Sequence, residues 1–254
     1  MIPCRMNPLG SGWPRAGSYG VFLTSSGTPV SSAIVMSGAV VSLPNVQTVY
    51  NHGTARETVV SSGGKLYISS GGTAKGATIS SGGSLCVNSG GLCDSAELLN
   101  AYSWVSSGGT ADNTTVNSSW LWVSSGGAVN GTTMNGGGFQ LYNGAIASDT
   151  TVTVGYLYIA SAIAVDTTVS GGGVILNSGA VASGAALYGG NLTVNSGGTA
   201  YSTTVNPGGR LTVNSGGTAL DVVSSAGCYI SAAEGAVITY ASGTEVAAPA
   251  GEFA

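Results

Sequence analysis

The sequence predicts an all-β fold, a right-handed parallel β-helix (a solenoid) of about eleven rungs, and three observations predict it. An apolar-x-apolar pair returns every 17–19 residues along most of the 254-residue chain. Gly-Gly pairs, such as Gly63-Gly64 and Gly71-Gly72, punctuate the intervals. The composition joins 43% hydrophobic residues to only 6% charged ones, whereas an average globular protein carries roughly 25% charged residues. Abundant glycine and serine alone suggest disorder, but disordered chains are usually charged and poor in β-branched residues. Valine recurs here throughout, so the chain holds enough apolar material for a core, provided that it repeats a geometry that tolerates glycine.

The repeat is legible in SSGGKLYISSGGTAKGATI, SSGGSLCVNSGGLCDSAEL and NPGGRLTVNSGGTALDVV. Aligning the second apolar residue of each pair gives a ladder through Val49, Ile68, Val87, Val105, Val123, Leu141, Ile159, Leu176, Val194, Val213 and Ile230. Two residues upstream runs another, from Leu66 and Leu85 through Leu121, Phe139 and Leu157 to Leu211. This alternation is the period-two pattern of a strand with one buried face. A third ladder begins Val59, Ile79, Leu98 and ends Val205, Val223; a fourth, of small residues, runs from Ala55 and Ala74 to Ala219 and Ala236. Four inward positions per repeat, one of them small, suit a narrow coil whose glycines supply positive φ at the corners. Other repeat classes fit less well. Helical repeats need helix formers that Gly and β-branched residues oppose, and calcium-binding nonapeptide repeats need an Asp after G-G-x-G that is missing here.

Several function classes are excluded by composition. With six Lys and Arg and a net charge of −4, the chain lacks the clustered cations that nucleic-acid binding requires and the basic face of a membrane-surface helix. No run of 18 apolar residues exists, so no membrane-spanning helix is expected. The periodic Gly pairs precede no helix and match no nucleotide-binding loop, so no cofactor is expected. Cys4, Cys86, Cys93 and Cys228 form no C-x-x-C pair, and a zinc or redox centre is not expected; the disulfide state of Cys86, Cys93 and Cys228 stays open. His52 is the single histidine and reads as part of an exposed turn, so neither a metal site nor a catalytic triad is expected.

Between the inward positions lie outward ones, and these gather aromatics: Tyr102, Trp104, Trp120, Trp122, Tyr156 and Tyr158 on one outer face. Exposed aromatic patches mark binding sites, while cross-rung stacking is the plainer structural role. Asp94 and Asp112 occupy equivalent corner positions, with Lys75 and Arg56 one and two turns back. A carboxylate pair is the equipment of glycoside hydrolysis, but a solvated charge column is the simpler reading, and no catalytic residue is assigned. Ser69, Asn88, Ser106, Ser124, Asn177, Asn195, Asn214 and Ser231 follow the strand and form a structural polar ladder. The Asn-x-Ser/Thr matches at Asn113, Asn117, Asn130 and Asn191 carry no weight in so Ser/Thr-rich a chain.

The G-G-x-L-x-V-x-S-G-G-T-A cores at 63–74, 82–93 and 208–219, with looser copies between them, resemble the AIDA-type repeats of self-associating autotransporter adhesins. The resemblance covers about residues 49–236. It implies a passenger displayed on the bacterial cell surface or outside the cell, which mediates adhesion, autoaggregation or biofilm formation. Its partners would be host-cell or bacterial surface glycans or proteins, or further copies of itself. It also implies O-glycosylation of repeat serines, with Ser70, Ser89, Ser107 and Ser125 as candidate acceptors.

Solenoids need caps against exposed cores and strand edges. Residues 1–20, with Pro3, Pro8 and Pro14, are expected to cap or fray from the first rung. Residues 21–238 form the repeat domain, and 239–254 a partial rung and a disordered tail. The opening MIPCRMNPLGSGWPRAG has no apolar signal core, and no translocator barrel follows the repeats, so an exported passenger needs both outside this stretch. The reading is therefore a non-enzymatic adhesin. Its rivals are a β-helix enzyme or phage-spike-like protein acting on or binding polysaccharide, and a passive spacer.

Overall fold

The computed structural model describes residues 20–25 and 28–241. Every regular element among them is a strand. Two compact units divide between Asn130 and Gly131, and the same coil builds both. One coil runs through Lys65–Ile68, Thr73–Lys75 and Thr78–Ile79 before Ser84–Val87 opens the next. In the first unit the leading strand recurs at Asn45–Val49, Lys65–Ile68, Ser84–Val87, Tyr102–Val105 and Ser119–Val123. In the second it recurs at Thr133–Tyr142, Thr151–Ala160, Gly173–Leu176, Asn191–Val194, Arg210–Val213 and Tyr229–Ala232.

Successive coils pair in parallel, which makes each unit a parallel β-helix with the right-handed crossovers such sheets adopt. Val49, Ile68, Val87, Val105 and Val123 are vertical neighbours, as are Leu141, Ile159, Leu176, Val194 and Val213, and all are buried. The small column also stacks, Ala55 on Ala74, Cys93, Ala111 and Val129.

Three corners close the coil, and the first two each hold a residue of positive φ. After the leading strand, Ser69-Ser70-Gly71-Gly72 makes a turn closed by the Gly72 amide donating to the Ser69 carbonyl at 2.8 Å. Gly71 sits at φ 71°, the third-position geometry of a type II turn. The second corner holds Glu57, Gly76, Ser95 and Asn113 in the first unit and Gly131, Asp149, Asp166, Gly184, Ser202 and Asp221 in the second, all left-handed. Gly, Asn and Asp are the residues that adopt this conformation most readily.

The register corrects four ladder assignments. Val59 points outward, 39% exposed, and Val60 takes the core position between Val41 and Ile79. The left-handed Glu57 sets that phase, because the residue after each such corner turns inward, the next outward and the third inward. Val223 is likewise outward, and Val222, one residue after left-handed Asp221, is buried. In the last rung Ile230 stands over Leu211, leaving Ala232 over Val213, and Ile238, rather than Ala236, stands over Ala219. Ala232 stands where every other rung has Val, Ile or Leu, so the apolar pattern slipped by two residues there, and Ser231, expected in the polar ladder, stands over Thr212 instead.

The first rung is closed by antiparallel pairing, since Val21–Ser25 pairs with both Asn45–Val49 and Thr28–Ala33. Gln47 occupies the leucine column beneath Leu66 and is fully buried. Its amide donates to Met36 Sδ at 3.2 Å and accepts from Thr58 Oγ1 at 2.8 Å, so the polar plug is satisfied. Residues 1–19 and 242–254 lie outside the described residues, and with them nearly all of the expected 1–20 cap and most of the 239–254 tail.

Two consequences are measurable by chemical denaturation. Leu157, buried between Phe139 and Val174, loses about 2–5 kcal/mol of stability on replacement by alanine. Ser103 interrupts the same column between Leu85 and Leu121, buried, with its hydroxyl unpartnered. Ser103→Val fills that gap and gains about 1 kcal/mol; a destabilised variant would show that the neighbours leave no room.

Candidate functional site

Two outward features stand out, an aromatic cluster and a serine ladder. Tyr102 and Trp104 lie on one strand of the first unit, directly below Trp120 and Trp122 of the next. Alternation places Ser103 and Leu121 inside and the rings outside. The rings stack. Trp122 is 5.2 Å from Trp104, 5.5 Å from Trp120 and 5.9 Å from Tyr102 between centroids, with planes within 17°. Tyr102 and Trp120 are the exposed members, and Trp104 and Trp122 are half-buried.

Tyr156 and Tyr158 belong to the second unit, where their rings lie 6.0 Å apart. Their neighbours in register are Gly138 and Gln140 on one side and Gly173 and Ile175 on the other. Of the six aromatics expected on one face, four form a tetrad in the first unit and two a pair in the second. Tyr229, another outward aromatic, lies beside Arg210, whose guanidinium sits 5.0 Å over its ring.

Ser70, Ser89, Ser107 and Ser125 are exposed at the second position of their turns. Each of the first three rests on a glycine of the following coil. A Cβ on Gly90 would meet Ser70 Oγ at 2.8 Å, one on Gly108 would meet Ser89 Oγ at 3.0 Å, and one on Gly126 would meet Ser107 Oγ at 3.3 Å. The second unit repeats the arrangement, with Ser161 over Gly179, Ser178 over Gly197 and Ser196 over Gly216. On the inner side of these turns the polar ladder is bonded as expected, Asn214 Nδ2 donating to Asn195 Oδ1 at 2.7 Å and Asn195 Nδ2 to Asn177 Oδ1 at 3.0 Å.

One column escaped the sequence reading. The residue after each left-handed second corner from Glu57 to Ser202 points inward and is Thr or Ala: Thr58, Ala77, Ala96 and Thr114, then Thr132, Thr150, Thr167, Ala185 and Thr203, all buried. The hydroxyls of Thr114, Thr132, Thr150, Thr167 and Thr203 have no protein partner. The signal is a Gly, Asn, Asp, Ser or Glu at fixed phase followed by Thr or Ala.

Cys86 is disulfide-bonded, whereas Cys93 and Cys228 are free. Complete burial in the alanine column pushes the Cys93 thiol up to about 12, helped by the charges of Asp94 and Asp112, so it is no nucleophile. His52 is exposed in a turn. Among the described residues no three His, Cys, Asp or Glu cluster as a metal site. No helix among them is long and apolar enough to cross a membrane.

Asp94 and Asp112 are vertical neighbours. Asn113 Nδ2 and Ser95 Oγ donate to Asp94 Oδ1 at 3.2 and 3.0 Å, and Lys75 Nζ is 3.9 Å from Oδ2. Those hydrogen bonds, more than the lysine, hold Asp94 below its usual value. Partial burial, and then the Asp94 charge, raise Asp112. A carboxyl raised on folding penalises the folded state above its folded pKa. Asp112→Asn therefore stabilises at neutral pH, by less than about 1 kcal/mol because the site is screened. The gain vanishes as pH falls below the ordinary carboxylate range, and melting curves of both proteins across that range check it.

Residues 48–101 and 187–227 match the AIDA family, described as "Adhesin of bacterial autotransporter system, probable stalk". No curated protein matches the sequence. Among solved structures, the chain is similar to a TibA fragment, residues 55–350, hyperglycosylated by TibC. The TM-score is 0.63 at 27% identity, over 81% of this chain and 84% of that one. Two segments of this solenoid thus match the AIDA stalk family directly, and the other rungs repeat the same coil, which is similar to that of the TibA fragment.

Proposed function

We propose that this chain is the passenger region of a bacterial surface adhesin, displayed outside the cell, that holds cells to one another or to a host surface. The observation that carries the reading is the conjunction of AIDA stalk repeats in both units with outward columns that the fold itself does not need. An extended surface that repeats one contact type at each rung sums weak contacts through multivalency. Its partners would be surface glycans or proteins and further copies of the chain.

Ser70, Ser89, Ser107 and Ser125 serve in this reading as O-glycan acceptors. Their exposure at turn tips supports it, and so does the glycosylated state of the similar TibA fragment. A sugar attached there would project from the coil without disturbing the core.

The test is display. Cells that carry the chain on a heterologous autotransporter scaffold should settle from suspension and coat surfaces faster than cells that carry the empty scaffold. A triple change of Trp104, Trp120 and Trp122 to Ser should slow both. Settling no faster than the empty scaffold would remove the adhesive reading. Glycopeptide mapping after co-expression with a TibC-type glycosyltransferase should find sugar on the four serines, and unmodified peptides would remove the acceptor assignment.

A further inference from the structure

The aromatic tetrad of the first unit is a stack with two open ends. Trp122 lies at its centre, and the outer rings, Tyr102 and Trp120, are 49% and 37% exposed. In register beneath Tyr102 and Trp104 are the small Ser84 and the disulfide-bonded Cys86. Stacking alone would not leave the two end rings open. Thr193 and Thr212 fill the Trp104 phase in the second unit and keep the ladder without any ring.

Three properties decide what this surface takes. Its strand backbone is interior to the ladder, since Tyr102–Val105 pairs with both Ser84–Val87 and Ser119–Val123. It therefore offers no free edge to an added peptide strand. None of Ser84, Cys86, Tyr102, Trp104, Trp120 or Trp122 carries a charge, and the cation in their column, Lys65, stands beyond Ser84, two rungs from Tyr102. What remains is a set of parallel rings whose faces carry a negative quadrupole, on two strands followed directly by Ser106 and Ser124.

The complement of that surface is a flat face of polarised C–H bonds with hydroxyls around its rim, which is a pyranose ring with equatorial substituents. We infer that the Tyr102–Trp104–Trp120–Trp122 cluster is a binding site for neutral, equatorially substituted β-linked saccharide chains. The inference rests on the adhesive reading for its biological setting and narrows its partner to one chemical class. Tyr102 and Trp120 meet the sugar, and Trp104 and Trp122 hold them in plane.

The full chain should be titrated with cellohexaose while tryptophan emission is followed. A saturable change is expected, and the same length of oligogalacturonate should give none. The double variant Tyr102→Ala, Trp120→Ala should bind cellohexaose at least about tenfold more weakly, as loss of an aromatic anchor does, with its melting temperature reporting that the coil is intact. Tyr188→Ala, an exposed tyrosine of the second unit, should bind as the parent does. Absence of a saturable change, equal affinity in the double variant, or equal response to oligogalacturonate overturns the site. Display experiments separate the two ideas. Cells that settle through a chain that binds no cellohexaose keep the adhesive reading and remove this site; cellohexaose binding by a chain that does not promote settling keeps the site and removes the adhesive role.

Discussion

The rung-to-rung backbone ladder is the constraint on which the rest of this structure depends. Each leading strand bonds to the one a coil away, and the turn amides do the same, Gly71 to Gly90 at 2.8 Å and Gly90 to Gly108 at 2.7 Å. Once the ladder forms, every side chain meets its own counterpart one coil away. Inward positions must then suit their own kind, which is why valine stands on valine and alanine on alanine. A slip of one residue would turn the whole inward set outward. The left-handed corners guard against that slip. They recur at fixed phase and admit few residue types, so they count residues for the coil.

Where glycine punctuates the chain the fold was legible in the sequence. The columns of Ile68, Val87 and Val105 and of Ala74, Cys93 and Ala111 stand where the alignment put them. Two errors fall where apolar residues adjoin, at Val59-Val60 and Val222-Val223, because periodicity alone cannot choose between neighbours, and two fall in the last rung. The corner residue chooses, and its rule was unread because Glu57, Ser95 and Asn113 do not look like one class until their common backbone conformation is known. The same gap hid the threonine column. Threonine reads as a surface residue, yet a tight corner leaves space for little more than a β-branched side chain of its size. The hydroxyl is buried as a consequence, at a cost in desolvation that the stacked methyl groups offset.

The candidate site was legible in identity and only partly in arrangement. Alternation alone placed Trp104, Trp122 and Tyr158 outward. It could not say that one outward column changes character along its length. Thr48, Tyr67 and Cys86 are outward by phase and yet buried, whereas Trp104 and Trp122 in the same column are half-open. Nor could it group rings into contacts, since the residues in register with Tyr156 and Tyr158 include Gly138 and Gln140. Outward phase in a solenoid specifies only that a residue is not core; whether it meets solvent depends on what crosses the face, and no periodicity encodes that.

That freedom is what gives the outward residues their meaning. The ladder fixes the inward columns within narrow limits of size, and the corners within narrow limits of conformation, so little at those positions remains for anything but folding. Outward positions bear neither limit, as threonine, glutamine, isoleucine and tryptophan at one phase demonstrate. Exposed aromatic surface is a liability in a repetitive chain with six cations and ten carboxylates to keep it in solution. Four such rings confined to two adjacent rungs, over a core position weakened by Ser103, run against both solubility and packing. A feature that the fold neither requires nor benefits from is best explained by a contact made outside the fold, and stacked rings with two open faces restrict that contact to something flat, uncharged and able to lie against them.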